Sequence, residues 1–294
     1  MLILAGAGEP GILYYLEKKE QGTNIDFIID NDPLVLGNRF FEHKINSPQV
    51  LSKITEKSGV KVIITSVVGY EKFEAQILGA GIPKKNITRL KKHSERFKRN
   101  QKISVNDISD VINLLNRTGV KSVPAYGTLL GLIRDGKLLP YDDDVDTWIL
   151  EASLAGITEK VLDKIKNNIF PDAGFMRIRR HYLPENKFCD LTDPAKLALT
   201  LYSSDRTYLR IDFFLLCRSG NYYYTTHNQK DLYRLPVELF GSISHFNAAG
   251  RNHIVPSKYR KILKTIYGEW RIPVKPNEEH GQYYGHLHKI DHLT

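Results

Sequence analysis

Four aspartates within five positions constrain the fold of this chain more than any other feature of its sequence. They are Asp142, Asp143, Asp144 and Asp146. Taking one unpaired carboxylate out of water costs several kcal/mol, so this segment cannot be ordinary core. The cluster requires cations or water, and an acidic turn with solvated charges is the other interpretation.

The alternation of side chains along a strand predicts which carboxylates lie together. On one strand, Asp142, Asp144 and Asp146 share a face. Asp212 lies in a second apolar run and alternates out of phase with its neighbours Ile211 and Phe213. If the two strands are adjacent, Asp212 joins the cluster; a surface aspartate is the alternative. Such carboxylates suit Mg²⁺ or Mn²⁺. The predicted metal ligands are therefore Asp142, Asp144, Asp146 and Asp212.

The first 90 residues alternate between strand-like and helix-like patterns. Helical patterns separate the predicted strands and follow the last of them, which predicts a parallel, doubly wound α/β sheet of the Rossmann-like type. The predicted strands are Leu2–Ala5, Ile25–Asp30 and Val60–Thr65, and the predicted helices are Ile12–Lys19, 49–58 and Glu71–Leu78.

A glycine pattern stands between the first predicted strand and the first predicted helix. Gly6, Gly8 and Gly11 form G-x-G-x-x-G, and Asp30 follows the second strand. In this position the pattern predicts binding of a nucleotide or nucleotide-sugar; glycines that serve only tight packing are the alternative. Together with the segment Phe27–Pro33, the pattern resembles the small Rossmann-like domains of bacterial nucleotide-sugar enzymes and sugar acyltransferases. No Tyr-x-x-x-Lys pattern of a dehydrogenase follows, so oxidoreductase activity is not expected.

The second part of the chain follows a dense basic segment, Arg89 to Arg99, and has an α+β pattern. We therefore predict two domains, residues 1–92 and 93–294. The basic segment is interpreted as a solvated linker helix, with contact to a membrane surface or an anionic partner as the alternative.

A longer motif surrounds the aspartates and carries a family resemblance. It comprises Gly127-Thr128-Leu129-Leu130-Gly131, Arg134, Pro140-Tyr141, Asp142-x-Asp144-Val145-Asp146 and the distant Asp212. The Gly-Thr, Asp-Val-Asp and third-aspartate pattern is similar to that of the nucleotidyltransferase fold. The full string, with segments near Asn252–Tyr259 and Tyr267–Trp270, resembles the LicD family, which includes the fukutin-related proteins. Many members carry Trp where Tyr141 stands, a mild departure.

The resemblance implies a nucleotidyltransferase-fold domain with a phosphotransferase activity. The donor is a CDP-activated alcohol (CDP-choline, CDP-ribitol or CDP-glycerol), the acceptor a hydroxyl of a cell-surface glycan or its lipid-linked precursor, and CMP leaves. Asp144 and Asp146 are then metal ligands, Asp142 a direct or water-mediated ligand, and Asp212 a ligand or the base that takes the acceptor proton.

The remaining motif residues are candidates for contact with the substrate. Gly127 and Thr128 would let a helix N-terminus approach the donor phosphates. Arg134 would pair with the pyrophosphate or, alternatively, with the acidic cluster. Tyr141 would stack on a base or sugar, with core packing as the alternative.

Composition and charge exclude several classes. The 294 residues carry 42 Lys+Arg against 33 Asp+Glu, and 41% are hydrophobic, as in globular proteins rather than disordered or fibrous chains. Two cysteines are too few for a disulfide framework, which favours a reducing compartment. No signal peptide or membrane span is recognised, so we expect a cytoplasmic protein, free or at the inner face of the membrane.

Two other kinds of binding site, for nucleic acid and for a metal ion on histidines, are not expected from the sequence. No RRM, KH or zinc pattern is present, so a nucleic-acid partner is not expected. Terminal histidines at positions 280, 286, 288 and 292 are interpreted as part of a tail rather than a metal site.

Two other functions remain open on the sequence. A nucleotidyltransferase would use the same metal site but take an NTP and release pyrophosphate. A non-catalytic protein of the same pathway would bind a nucleotide-sugar, although its need for four clustered aspartates would be unexplained.

Overall fold

The computed structural model describes residues 1–66, 69–90, 98–99, 103–140, 142, 144–150, 154–182, 194–226 and 232–273. It divides into two compact units. The first comprises Met1–Arg99, Asp172–Ile178 and Thr200–Tyr208, and the second comprises Asn100–Pro171, Arg179–Leu199 and Leu209–Thr294. Position 92, the predicted boundary, lies outside the described residues. Neither unit is one continuous stretch of chain, and the predicted domain bounds stay a prediction.

The first unit contains a parallel sheet with the strand order of a Rossmann fold. Five parallel strands run in the order β4-β2-β1-β5-β6, that is, 3-2-1-4-5 among the parallel strands. The elements are β1 (Leu2–Ala5), α1 (Glu9–Glu20), β2 (Phe27–Ile29), β3 (Arg39–Phe40), β4 (His43–Asn46), β5 (Lys61–Ile64), α2 (Tyr70–Gly79), β6 (Ile87–Arg89) and β7 (Lys98–Arg99). The predicted Rossmann-like organisation is confirmed.

Alternation along β1 explains why helices cover both faces of this sheet. Leu4 belongs to one apolar cluster with Ile12 of α1. Ile3 belongs to a second cluster with Phe73 and Ile77 of α2. Because successive side chains of a strand point to opposite faces, α1 and α2 cover opposite faces of the sheet.

The second unit is built from helices and mixed strands. Three of its strands, β10 to β12, contribute one end to the first unit. The elements are α3 (Val105–Arg117), β8 (Ser122–Pro124), α4 (Tyr126–Asp135), β9 (Val145–Leu150), α5 (Glu159–Ile169), β10 (Ala173–His181), β11 (Lys196–Ser203), β12 (Thr207–Ser219), β13 (Tyr222–Thr226), β14 (Leu232–Pro236), β15 (Ile243–Ala248), β16 (Arg251–Pro256) and α6 (Tyr259–Tyr267).

Strand β9 organises the second unit. It pairs with β8 in antiparallel and with β12 in parallel orientation. Trp148 of β9 and Phe214 of β12 belong to the cluster that also includes Tyr126 of α4 and Ile262 of α6. Residues two positions apart on a strand share a face, so Asp146 and Asp212 lie on this same, helix-covered face. The apolar core therefore fixes the direction in which both aspartates point.

Several predicted elements differ from the structure in length or type. The helix predicted over residues 49–58 is a 3-10 segment, Pro48–Lys53, which begins at Pro48 after the N-cap Ser47. The mixed α/β class is confirmed, whereas the nucleotidyltransferase fold of the second part stays a prediction.

Two further observations concern the cysteines and the helices. Cys217 on β12 is disulfide-bonded, which a reducing compartment does not lead one to expect. The chain's other cysteine, Cys189, lies outside the described residues. Among the helices of the described ranges, none combines the length and the apolar character that crossing a bilayer demands.

Candidate functional site

The parallel register of β9 and β12 brings the predicted carboxylates together. Asp146 and Asp212 are register partners, and Asp144 precedes β9 by one residue. One carboxylate oxygen from each of these three residues lies within 4.8 Å of the others. The condition set by the sequence, that the two strands be neighbours, is fulfilled.

The backbone of Asp146 is fixed by hydrogen bonds, whereas neighbouring carboxylates repel its side chain. Its N–H donates to the Thr128 hydroxyl over 2.8 Å, and its carbonyl accepts from the N–H of Ala125 over 3.0 Å. Burial raises the pKa of the Asp146 carboxyl well above its usual range, and the nearby charges of Asp144 and Asp212 add to this effect. The fold thus fixes a carboxylate where its ionised form is unfavourable without a cation.

Two basic side chains offset part of this negative charge. Lys196 of β11 pairs with Asp212, and Arg210 of β12 pairs with Asp144. Arg210 also lies 3.3 Å from Asp212. Burial raises the pKa of Asp212, and the two cations oppose this shift without cancelling it. Oδ1 of Asp212 is buried and has no hydrogen-bond partner among the described residues, an arrangement that is costly unless a ligand takes it up.

Asp142 lies apart from this group of three. Its carboxylate occupies the space where a Cβ atom on Gly127 would lie, at the first turn of α4. The strand begins only at Val145, so Asp142 and Asp144 precede it and do not share a strand face with Asp146 as expected. An acidic group is favourable at the start of a helix because of the helix dipole. The predicted role of Asp142 as a ligand stays a prediction.

The glycines of the motif let the segment after α4 fold back against the helix. A Cβ on Gly131 would lie 2.5 Å from the carbonyl oxygen of Lys137 and 3.1 Å from the Leu139 nitrogen. Gly127 and Gly131 are one turn apart on the same side of α4. Together they form the groove in which the loop leading to Asp142 is seated.

The other predicted substrate residues occupy more local positions. Thr128 is buried, and its hydroxyl oxygen accepts the Asp146 N–H described above. Arg134 forms a bidentate pair with Asp135 at 2.8 and 2.9 Å. This pairing lowers the pKa of Asp135. Tyr141 lies outside the described residues, as do the terminal histidines.

Three residues near the cluster were missed by the sequence analysis. These are Lys196, Arg210 and His181. Burial and the neighbouring cations Lys196, Arg179 and Arg210 lower the pKa of His181. A usable signal existed for Arg210, because it stands two positions before Asp212 on a predicted strand and so shares its face. Lys196 and His181 gave no such signal, because β11 pairs with β12, and β10 with β11, only in the fold.

The glycine pattern of the first unit is packed as a tight turn. A Cβ on Gly11 would overlap the carbonyl oxygen of Gly6, which itself has φ +110°. Asp30 accepts the Ala7 N–H at 2.6 Å and the Asp32 N–H at 2.9 Å, so each of its oxygens holds the backbone. Beside Gly8, the Arg177 guanidinium would lie 3.1 Å from an added Cβ. Packing therefore accounts for Gly6, Gly11 and Asp30, and their predicted nucleotide contacts stay predictions.

Comparison with known families identifies the second unit. Residues 119–258 match the family model of the LicD/FKTN/FKRP nucleotidyltransferase domain. The chain contains a LicD domain. The match includes α4, β9 and β12 and thus all three carboxylates of the cluster. A LicD domain implies a phosphotransferase-type transferase that acts in glycan modification, with a nucleotide-activated donor.

Comparisons with whole proteins add little to the LicD assignment. No curated protein matches the chain. The structure of RSP with β-NADH is 16% identical at a TM-score of 0.26, over 40% of this chain and 60% of that chain. UDP-N-acetylglucosamine 3-dehydrogenase GnnA from Acidithiobacillus ferrooxidans is 11% identical, TM-score 0.23, over 86% and 82%. An Agrobacterium radiobacter oxidoreductase with NAD+, L-tartaric acid and magnesium is 14% identical, TM-score 0.20, over 87% and 78%. Likenesses this weak carry no conclusion.

Proposed function

We propose that the LicD domain transfers a phospho-alcohol from a CDP-activated donor to a hydroxyl of a cell-surface glycan and releases CMP. The observation that carries this proposal is the set of three carboxylates, Asp144, Asp146 and Asp212, within 4.8 Å. The family match over the same residues supports it. Phosphoryl transfer requires positioning and charge stabilisation rather than a covalent intermediate, which suits a rigid cluster of oxygen ligands.

The cluster has the properties of a site for Mg²⁺ or Mn²⁺. Its donors are carboxylate oxygens, and one of them, Oδ1 of Asp212, is buried without a hydrogen-bond partner. Asp144, Asp146 and Asp212 would hold the ion, with Asp142 as a water-mediated ligand. When bound, the ion supplies neutralising charge to the phosphate oxygens of the donor.

The residues of the chain would position the reacting groups. The acceptor oxygen bonds to the phosphorus of the phospho-alcohol while the bond from that phosphorus to the oxygen of CMP breaks. Asp212 is either a ligand or the base that receives the proton of the acceptor hydroxyl. Thr128 keeps Asp146 in place through the 2.8 Å hydrogen bond to its backbone. Gly127, in the first turn of α4, would let the N-terminus of this helix approach the donor phosphates.

A thermal-shift titration with and without Mn²⁺ tests the proposal. CDP-choline, CDP-ribitol, CDP-glycerol, CTP, ATP, NAD and a UDP-sugar are compared on the native chain and Asp144→Ala. We expect one CDP-alcohol to stabilise the native chain only with Mn²⁺, and Asp144→Ala to lose this effect. Release of CMP in the presence of a glycan acceptor then checks turnover. Stabilisation by NAD or a UDP-sugar alone, unchanged in Asp144→Ala, would instead place the ligand in the first unit.

A second candidate function is nucleotidyl transfer, because the matching family model is that of a nucleotidyltransferase domain. This activity would use the same carboxylates with an NTP, and its leaving group would be pyrophosphate. Release of pyrophosphate from CTP or ATP, without release of CMP from any CDP-alcohol, would favour it over the first.

A further inference from the structure

Two cations lie against the carboxylate cluster, and the structure holds them differently. The Lys196 ammonium pairs with Asp212, stands 4.5 Å from the centre of the Phe214 ring, and belongs to a side chain that is only 14% exposed. Arg210 pairs with Asp144 and Asp212, and its side chain is 40% exposed. Lys196 is thus fixed by an ion pair and an aromatic ring, whereas the Arg210 side chain is partly exposed.

A divalent cation at the cluster would compete with Arg210 rather than with Lys196. Asp212 contacts both cations through Oδ2, while its Oδ1 has no hydrogen-bond partner within the described ranges. Asp212 therefore has an oxygen for a metal ion without giving up Lys196. Asp144 has no second cation among its described ion pairs, and its Oδ2 pairs with Arg210. Because positive charges repel, a metal ion on Asp144 would weaken the hold of Asp144 on Arg210.

We propose that Arg210 exchanges partners during the reaction cycle: it neutralises the cluster until a divalent cation binds, and then turns to the diphosphate of the donor. A guanidinium matches phosphate oxygens through its planar fork of donors. Its Nε is buried and has no hydrogen-bond partner in the described part of the chain, so the present pairing with carboxylates leaves one donor unused. The choice of donor rests on the proposed function, whereas the competition with the cation does not.

The competition is measured by calorimetric titration of the native chain with Mn²⁺. We expect Arg210→Gln to bind Mn²⁺ about fivefold more tightly, because the competing cation is gone. Arg210→Lys keeps a positive charge and is expected to bind Mn²⁺ as the native chain does. Arg251→Gln is the matched control, since Arg251 pairs with Asp110 at 3.1 Å and is not part of the cluster; it should leave Mn²⁺ binding unchanged.

The second half of the exchange is measured with CDP at saturating Mn²⁺. We expect Arg210→Gln to weaken CDP binding about tenfold, because a charge-assisted hydrogen bond to phosphate is lost. Arg210→Lys should also weaken it, since an ammonium cannot form the bidentate pair. Arg251→Gln should bind CDP normally. The two Arg210 variants separate loss of charge from loss of the fork, and Arg210→Lys keeps the test valid should Arg210→Gln fold poorly.

The outcomes distinguish this inference from the proposed function. Unchanged or weaker Mn²⁺ binding in Arg210→Gln would overturn the exchange, as would normal CDP binding in both Arg210 variants. If no CDP-alcohol supports transfer by the native chain, the proposed function fails, yet opposite effects of Arg210→Gln on Mn²⁺ and CDP would still support the exchange.

Discussion

At the residue scale, the carboxylates of the cluster serve binding at the expense of folding. Asp146 is 7% exposed and Asp212 is fully buried, and their charges repel. Only part of this repulsion is offset, because the cluster pairs three carboxylates with Lys196 and Arg210. Groups of this kind are retained where a ligand uses them, since a protein selected for stability alone would replace them.

Asp146→Asn is expected to make the chain more stable and less able to bind metal. In EDTA, the free energy of unfolding should rise by about 1 kcal/mol, because a buried charge that its neighbours repel is removed. Mn²⁺ binding should weaken by about 100-fold because a ligand is lost. Urea denaturation and calorimetric titration measure the two effects. The control is Asp163→Asn on the exposed side of α5, which should change neither; a destabilised Asp146→Asn would contradict the account.

Lys196→Met is expected to destabilise the chain strongly, since Asp212 then loses a buried partner. Removing one member of a buried ion pair costs about 3 kcal/mol, and methionine keeps the contact with the Phe214 ring. The double variant Lys196→Met with Asp212→Asn should regain most of the loss, because no unpaired charge remains. Urea denaturation of all four chains gives the coupling energy. Simple addition of the two single effects would show that the pair is not coupled.

At the element scale, the packing of α4 against the segment after it positions the acidic groups. Gly127 and Gly131 clear one side of the helix, and the returning loop fills the space. The loop then leads into β9, with Asp144 directly before this strand and Asp146 as its second residue. The sequence motif thus has a structural meaning: its glycines are spaced for close packing of a loop on a helix, and its aspartates follow at the point where the loop enters the sheet.

Gly127→Ala tests this packing of the loop on α4, because the new methyl group would overlap the Asp142 carboxylate. We expect the loop to shift, with a loss of about 2 kcal/mol of stability and a fall in transferase rate. Gly79→Ala is the matched control: Gly79 also lies in a helix, α2, and a Cβ there meets nothing within 4 Å. That change should be neutral or stabilising by about 0.5 kcal/mol. Equal effects of the two substitutions on stability and rate would refute the packing role of Gly127.

At the scale of the whole molecule, the local patterns were predictable and the long-range pairings were not. Helix α3 has apolar residues at helical spacing and a Ser104–Asp107 capping box, and strand β13 is a run of tyrosines and threonines, which favour strands. Asp146 and Asp212 are close because β9 and β12 pair in parallel, although more than 60 residues of chain separate them. From the sequence, this proximity could be predicted only on the assumption that the two strands are neighbours. Lys196 joins the cluster through β11, a contact that no local pattern encodes. The short strands β3 and β4 were missed because so few residues show no clear alternation.

The first unit includes segments from far along the chain, so an N-terminal fragment lacks part of it. Residues 172–178 and 200–208 belong to it, although they lie far along the sequence. Phe175 pairs in register with Phe40, and their rings are 4.9 Å apart. The backbone N–H of Phe41 donates to the Gly174 carbonyl over 2.7 Å. Both Phe175 and Tyr202 are part of the apolar cluster that includes α1.

The fragment Met1–Arg99 is therefore expected not to fold cooperatively by itself. Without Phe175 and Tyr202 it loses core contacts, and β3 loses its antiparallel pairing with β10 and keeps only that with β4. In the full chain, Phe175→Ala should cost about 4 kcal/mol, because a large aromatic side chain is removed from a buried site. Thermal unfolding followed by circular dichroism compares the fragment, the full chain and the variant. A sharp, reversible transition of the fragment near that of the full chain would show that the later segments are dispensable for the Rossmann-like unit.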